Sequence, residues 1–271
     1  MDGKYKSAQK IAVSGNFDEV VIDAYPFMLT GFERIIAQGN PVTIYIEGDG
    51  LAWRSKTQPS QNPTPDNPIA LKLARHDNSA NVIYLARPCQ YTGRTDGQAC
   101  DQSYWMGSRY APEVLSAYND ALNQIRRKTG ASGFHLVGFS GGATVAALLT
   151  GQRDDILTLR SVAGNLDHRA HSELHNVSYL NNSLNPPQYA EKLAGIPQVH
   201  FIGGHDKIVP KAIYDRYSAA LPHQQCTRYH IVENAEHNKG WAEFWQVGQM
   251  IEPYCTRDQV LNQNGNGSVQ P

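Results

Sequence analysis

The run Gly138-Phe139-Ser140-Gly141-Gly142 constrains this chain more than any other feature. It stands between an apolar stretch that reads as a strand, Phe134 to Phe139, and a small-residue stretch that reads as a helix, Gly141 to Gly151. A chain that passes from strand to helix within one residue must turn sharply, and side chains at 138 and 142 would strike neighbouring backbone. Glycine avoids the collision, and the serine between is held in strained backbone with its Oγ clear of the chain. The helix behind it aims its first N–H groups at the same point, which favours developing negative charge there. A bare match to G-x-S-x-G is common, but the strand–turn–helix setting is what makes it specific. Ser140 is the candidate nucleophile.

Strand-like and helix-like segments alternate through most of the 271 residues, the pattern of a parallel sheet with helices on both faces. The opening departs from it: Ile11 to Ala24 and Phe27 to Arg34 read as two strands with no helix between, an antiparallel hairpin at one sheet edge. Pro41 to Glu47 reads as a buried strand running into Gly48-Asp49-Gly50, and Asn81 to Ala86 as the next strand, with a short helix from Ile69 before it. Pro112 to Lys128 has helical apolar spacing, with Pro in the first turn and Gly130 just past the end. Leu157 to Val162, Gln198 to Gly203 and Arg228 to Val232 complete the strands, and Ile213 to Leu221 and Trp241 to Ile251 the helices. No repeat or linker divides the chain, so the expectation is one domain over 1–261, with a possible lid or cap at 165–195 and a disordered Asn- and Gly-rich tail at 262–271.

Two residues complete a reactive set in chain order. Asp206 follows the strand Gln198 to Gly203, on a loop at a strand's carboxyl end, where open α/β sheets place their sites. His237 follows the strand Arg228 to Val232, and imidazole titrates in the range a general base needs. Alone, each reads as a solvated surface residue; arriving together after the last two strands, they read as base and orienting acid for Ser140.

On these motifs (the nucleophile turn, the stretch Gly203 to Pro210 around Asp206, and His237 after a strand) the sequence resembles bacterial α/β-hydrolases of the serine esterase and lipase superfamily, from about Pro41 to Ile251. The resemblance implies the α/β-hydrolase fold, with an eight-stranded, mostly parallel sheet and an antiparallel N-terminal edge. It also implies acyl transfer in two steps without cofactor or metal. It implies an oxyanion hole from the N–H of Gly141 and a second N–H after the strand Val42 to Glu47, with Asp49 the first choice and Gly50 the second. Where many relatives carry His-Gly, this chain has Glu47-Gly48-Asp49-Gly50. Two carboxylates near a forming oxyanion are unfavourable unless they turn away or meet cations, and Arg54 and Arg109 are the candidates. Asn165, Asp167 and His168 are expected to line the substrate pocket, faced by Tyr104 and Trp105, which otherwise cap the core.

The segment Asp167 to His175 offers a rival chemistry. If helical, His168, His171 and His175 share a face and Asp167 adds a fourth metal ligand, although histidine-rich loops are more often solvated. The leading function is a carboxylesterase for small or medium acyl esters, since the polar segment 165–195 argues against a lipase. A peptidase or amidase on the same three residues, or a non-catalytic binding protein of the same fold, is the alternative.

Net charge of −1 gives no reason to expect nucleic acid or an anionic membrane as partner, and no apolar run approaches the ~20 residues of a spanning helix. Four cysteines fit two disulfides, and among three pairings Cys89–Cys100 with Cys226–Cys255 closes the shortest loops. Four reduced thiols in a cytosolic enzyme remain the alternative. Met1 to Lys10 has no apolar h-region, and the Met directly before Asp2 is compatible with a start replacing a removed leader. The expected compartment is extracytoplasmic: secreted, periplasmic or lipid-anchored.

Overall fold

The computed structural model describes residues 3–55, 58–91 and 100–256; the expected tail at 262–271 lies outside them. Eight strands form one sheet in the order β1-β2-β4-β3-β5-β6-β7-β8. The strands are β1 (Asp18–Ala24), β2 (Phe27–Ile35), β3 (Val42–Ile46), β4 (Asn81–Leu85), β5 (Phe134–Phe139), β6 (Ile156–Val162), β7 (Gln198–Gly203) and β8 (Thr227–Val232). β2 pairs antiparallel with β1 and β4, and every pairing from β4 to β8 is parallel. This is the expected mostly parallel sheet with an antiparallel N-terminal edge.

Residues of β3, β4 and β5 are buried almost without exception, as central strands covered on both faces must be. Their side chains alternate between two cores. Ile44, Ile46 and Leu136 face the layer of α3 (Pro112–Thr129), α4 (Gly141–Gln152), α6 (Ala190–Ala194) and α7 (Lys211–Ala220). Tyr45 and Val137 face the layer of α1 (Gly3–Ser14), α2 (Ile69–His76) and α8 (Trp241–Gly248). In this second layer Trp245 donates its indole N–H to Tyr45 at 2.9 Å, and Tyr45 donates to Asp77 at 2.6 Å, so the buried polar groups satisfy one another.

The first strand is shorter than the sequence implies. Residues 11–14 end α1, and β1 starts only at Asp18, so a helix precedes the hairpin. The apolar stripe of α1 is narrow, with Tyr5, Ala8 and Ala12 buried, and two of the three are alanines. Such a stripe gives little periodic signal against the polar residues around it. The segment 165–195 holds α5 (His168–His175), then a 3-10 turn at Pro186–Tyr189 and α6.

Every parallel strand ends on the same sheet edge, so the loops after β3, β5, β6, β7 and β8 meet there. Among the described residues, no helix is long and apolar enough to cross a membrane. Both cysteine pairs with the shortest loops, Cys89–Cys100 and Cys226–Cys255, stand at disulfide distance. Closing loops of this size contributes about 3 kcal/mol each in a chain-entropy account. Protein isolated from an oxidising environment, denatured without reductant, should therefore titrate no free thiol, and reduction should lower both melting temperature and activity. Four titratable thiols would remove the cross-links from the account.

Candidate active site

Ser140 occupies the turn between β5 and α4 with φ 50° and ψ −118°, a backbone that side chains rarely adopt. Its N–H donates to Val162 at 2.9 Å, and its carbonyl accepts from Ala143 at 3.0 Å and Asn165 at 3.1 Å. A methyl at Gly138 would overlap the backbone of Ala143, and one at Gly142 the carbonyls of Ile46 and Glu47. The two glycines let the first turn of α4 sit directly on the ends of β3 and β5, and the strained serine is the consequence.

The structure brings the three reactive candidates together. Ser140 Oγ lies 3.0 Å from His237 Nε2, and His237 Nδ1 lies 2.8 Å from Asp206 Oδ2. The Asp206 side chain is fully buried, and its other oxygen accepts from the N–H groups of Ile208 at 2.8 Å and Val209 at 2.9 Å. An ionised carboxylate only accepts, so the neutral imidazole carries its proton on Nδ1 and turns a lone pair toward Ser140. The ring packs on Phe139, with centroids 5.5 Å apart, and the His237 carbonyl accepts from the indole of Trp241 at 2.9 Å. A line of this geometry can pass a proton from a serine hydroxyl to a base whose tautomer is held.

The two carboxylates after β3 have different fates. Glu47 is buried and accepts from Gly48 N–H at 2.9 Å, Ala70 N–H at 3.3 Å and the Tyr84 hydroxyl at 3.2 Å. Ala70 belongs to the first turn of α2, whose own cap residue Pro68 makes no side-chain bond, so Glu47 serves that helix as a carboxylate at its positive end. Burial pushes the Glu47 carboxyl up from 4.5 to about 7, against the lowering pull of the N–H groups. Asp49, half-buried, meets cations: Arg87 reaches Oδ1 at 2.8 Å, Arg109 reaches Oδ2 at 2.7 Å, and the Tyr110 hydroxyl lies 3.1 Å from Oδ2. Burial raises its pKa, but the attraction of Arg109 and then Arg87 outweighs this and brings it down to about 2.

Arg109 thus plays the expected part. Arg54 does not: its side chain is exposed, its backbone N–H donates to Gln58 at 2.8 Å, and Arg87 stands in its place. Arg87 and Tyr110 were not foreseen. The available signal was position, since Arg87 directly follows the apolar run that ends β4 at the reactive sheet edge.

The expected pocket residues have mixed placements. Asn165 lies against the nucleophile turn, 8% exposed, through its N–H bond to Ser140. Asp167 caps α5, accepting from Arg169 and Ala170 at 3.1 Å and from the Asn185 amide at 2.8 Å. His168 is buried against Tyr110, with ring centroids 5.6 Å apart, and donates from Nε2 to the Leu184 carbonyl at 3.0 Å. Tyr104 packs edge-on against Phe27 at 4.8 Å and donates to Glu113, and Trp105 donates to the Ser60 carbonyl at 2.9 Å. These two aromatics cap the core.

The histidines of the rival metal reading do share α5. Yet the Asp167 carboxylate is taken by the helix cap, and His175 Nε2 donates to the Ile208 carbonyl at 2.8 Å. Among the described residues, no group of three or more His, Cys, Asp or Glu is arranged to hold a metal ion. Burial, and then the nearby His175, bring the His171 pKa down to about 4, so near neutrality it is uncharged.

The sheet, its helical layers and the strand–serine–helix turn define an α/β-hydrolase, a serine hydrolase of α/β fold. The chain belongs to the serine hydrolase (FSH1) family, whose model matches residues 66–239, a span that contains Ser140, Asp206 and His237. No curated protein matches the sequence. Est1E from Butyrivibrio proteoclasticus superposes with a TM-score of 0.59 at 12% identity, over 85% of this chain and 95% of that one. An α/β serine hydrolase homologue from Coxiella burnetii gives 0.57 at 13% identity, over 86% and 93%. An α/β serine hydrolase without lid from Xanthomonas campestris gives 0.55 at 12%, over 86% and 92%. At these identities the likenesses carry the fold.

The Glu47 carboxyl has a measurable consequence. Unfolded, it releases its proton near 4.5; folded, it keeps it to about 7, so its contribution to stability falls as pH rises between those values. Glu47→Gln should melt higher than wild type at about pH 8 and alike below about pH 4.5. Thermal melts across that range check this, and a difference that does not change with pH would exclude the raised pKa.

Proposed function

We propose that this serine hydrolase is a carboxylesterase for small or medium acyl esters, working through Ser140, His237 and Asp206. The observation that carries the proposal is the continuous line from Ser140 Oγ to His237 Nε2 at 3.0 Å and from Nδ1 to Asp206 at 2.8 Å. Ser140 attacks the ester carbonyl while His237 takes its proton, and Asp206 holds the imidazole and stabilises it once charged. The tetrahedral oxyanion is received by the N–H groups of Gly141 and Asp49, with Gly50 the second choice to Asp49. Its collapse expels the alcohol, protonated by His237, and leaves an acyl-serine. Water, activated by the same imidazole, then releases the acid.

On the same proposal the chain is one hydrolase domain whose segment 165–195 flanks the cleft as a wall or cap. Its polar character, with His168 and Asp167 committed to hydrogen bonds, suits soluble esters better than lipid. The two cysteine pairs support an extracytoplasmic location, since disulfides persist in oxidising compartments.

A fluorophosphonate probe should label the wild-type protein and not Ser140→Ala. That variant should lose turnover by several orders of magnitude, keeping only the roughly 10³–10⁴-fold advantage over water that the rest of such a site provides. Hydrolysis across an ester series of rising chain length reads the acyl preference, and chelator should leave the rates unchanged. Ser140→Ala turning over like wild type, or chelator abolishing activity and zinc restoring it, would overturn the proposal.

A further inference from the structure

We infer that the Asp49 side chain is a positioning residue for the oxyanion site, a spacer clamped by Arg87 and Arg109 that sets the loop after β3 against the turn after Ser140. The inference rests on the serine-esterase reading, and it adds a part that neither the nucleophile turn nor the family match supplies, since the match begins at residue 66. A methyl on Gly141 would overlap Asp49 Oδ1 and come within 2.6 Å of the Tyr110 hydroxyl. The carboxylate therefore rests on the Cα of the residue that follows the nucleophile. The two proposed oxyanion donors, the N–H groups of Gly141 and Asp49, are held apart by the Asp49 side chain itself.

A carboxylate so close to a developing oxyanion is adverse unless its charge is cancelled and its rotamer fixed. The structure provides for both. Each oxygen has its own guanidinium, and the Tyr110 hydroxyl adds a third donor. Two cations against one anion leave a net positive charge beside the site, the sign that favours the tetrahedral state. The clamp is itself anchored: Arg87 Nη2 donates to the Arg109 carbonyl, Arg109 Nε donates to the Met106 carbonyl at 2.8 Å, and the Arg87 guanidinium lies over the Tyr110 ring at 5.2 Å. Three segments, the loop after β3, the end of β4 and the approach to α3, are tied at one carboxylate. Such a device adds no contact to the ground-state ester. It acts on the oxyanion geometry, so its loss falls on kcat rather than KM.

Asp49→Glu separates a spacer from an ordinary ion pair. Glutamate keeps the charge and both arginines, but its extra methylene has no room against Gly141. Asp49→Ala removes spacer and clamp together, and Arg109→Lys keeps the charge without the planar fork. The readouts are kcat and KM on an ester that wild type hydrolyses, melting temperature, and affinity for a trifluoromethyl ketone. Ser140 adds to that ketone, passing its proton to His237, and makes an oxyanion-bearing hemiketal. We expect Asp49→Glu to melt within a few degrees of wild type. Its kcat should nevertheless fall about 10- to 100-fold and ketone affinity should fall in parallel, with KM within about threefold. Asp49→Ala should lose at least as much, and Arg109→Lys should show the same split in smaller measure. Full rescue of kcat and ketone affinity by glutamate, or losses that appear in KM or melting temperature alone, would overturn the inference. If wild type labels with fluorophosphonate and hydrolyses esters while these variants match it, the spacer fails and the esterase reading stands. If wild type does neither, both fall together.

Discussion

The rest of the site depends on how closely the start of α4 approaches the end of β3. Residues 138 and 142 have no space for even one methyl group, because the Ala143 backbone and the Ile46 and Glu47 carbonyls occupy it. That approach forces Ser140 into positive-φ backbone, brings the N-terminal N–H groups of α4 to the carboxyl ends of the strands, and puts the loop after β3 within reach of Ser140. Each consequence is a matter of steric fit in a close-packed interior, where a local error cannot be absorbed. The central strands β3, β4 and β5, buried on both faces, provide the rigid frame against which this fit is defined.

Around that frame the charges are arranged by different means. Asp206 has both oxygens committed, one to two backbone N–H groups and the other to His237. Asp49 is ionised through two arginines, whereas Glu47, two residues earlier and held by N–H groups and a tyrosine hydroxyl, is pushed toward the neutral form by burial. The loop after β3 thus carries two carboxyl groups that behave oppositely: one whose pKa is raised to about 7, serving a helix start, and the other charged, lying against the turn after Ser140. Local environment, rather than residue type, separates their roles.

What could be read from the sequence follows the range over which its signals act. The nucleophile turn is local, five residues with a strand before and a helix after, and it reads directly. The alternation from β3 onward is also local in period, so the strands and helices of the parallel sheet emerge with small shifts of their ends. Helix α1 does not, because its buried stripe of Tyr5, Ala8 and Ala12 is too thin to stand out. The partners of Asp49 depend on tertiary contact: Arg87 is 38 residues away and Arg109 60, while Arg54, near in sequence, faces solvent. Tyr104 and Trp105 illustrate the converse, since aromatics in a polar loop suggest a binding wall yet here pack on the core.

The two cross-links fall on the loops rather than on the frame. Cys89 lies two residues after Arg87 and Cys100 nine before Arg109, so their pairing shortcuts the chain between the two arginines that hold Asp49. Cys226 precedes β8 and Cys255 follows α8, and the span they close contains His237. Loops at a sheet edge have fewer buried contacts than the strands they extend, and they open locally at lower free-energy cost. Ser140 is held by packing between strand and helix and requires no such tie. His237 and the arginines around Asp49 stand on the connecting segments, and those are the segments the cross-links shorten. The covalent framework therefore complements the core, constraining the candidate site segments that close packing alone reaches least.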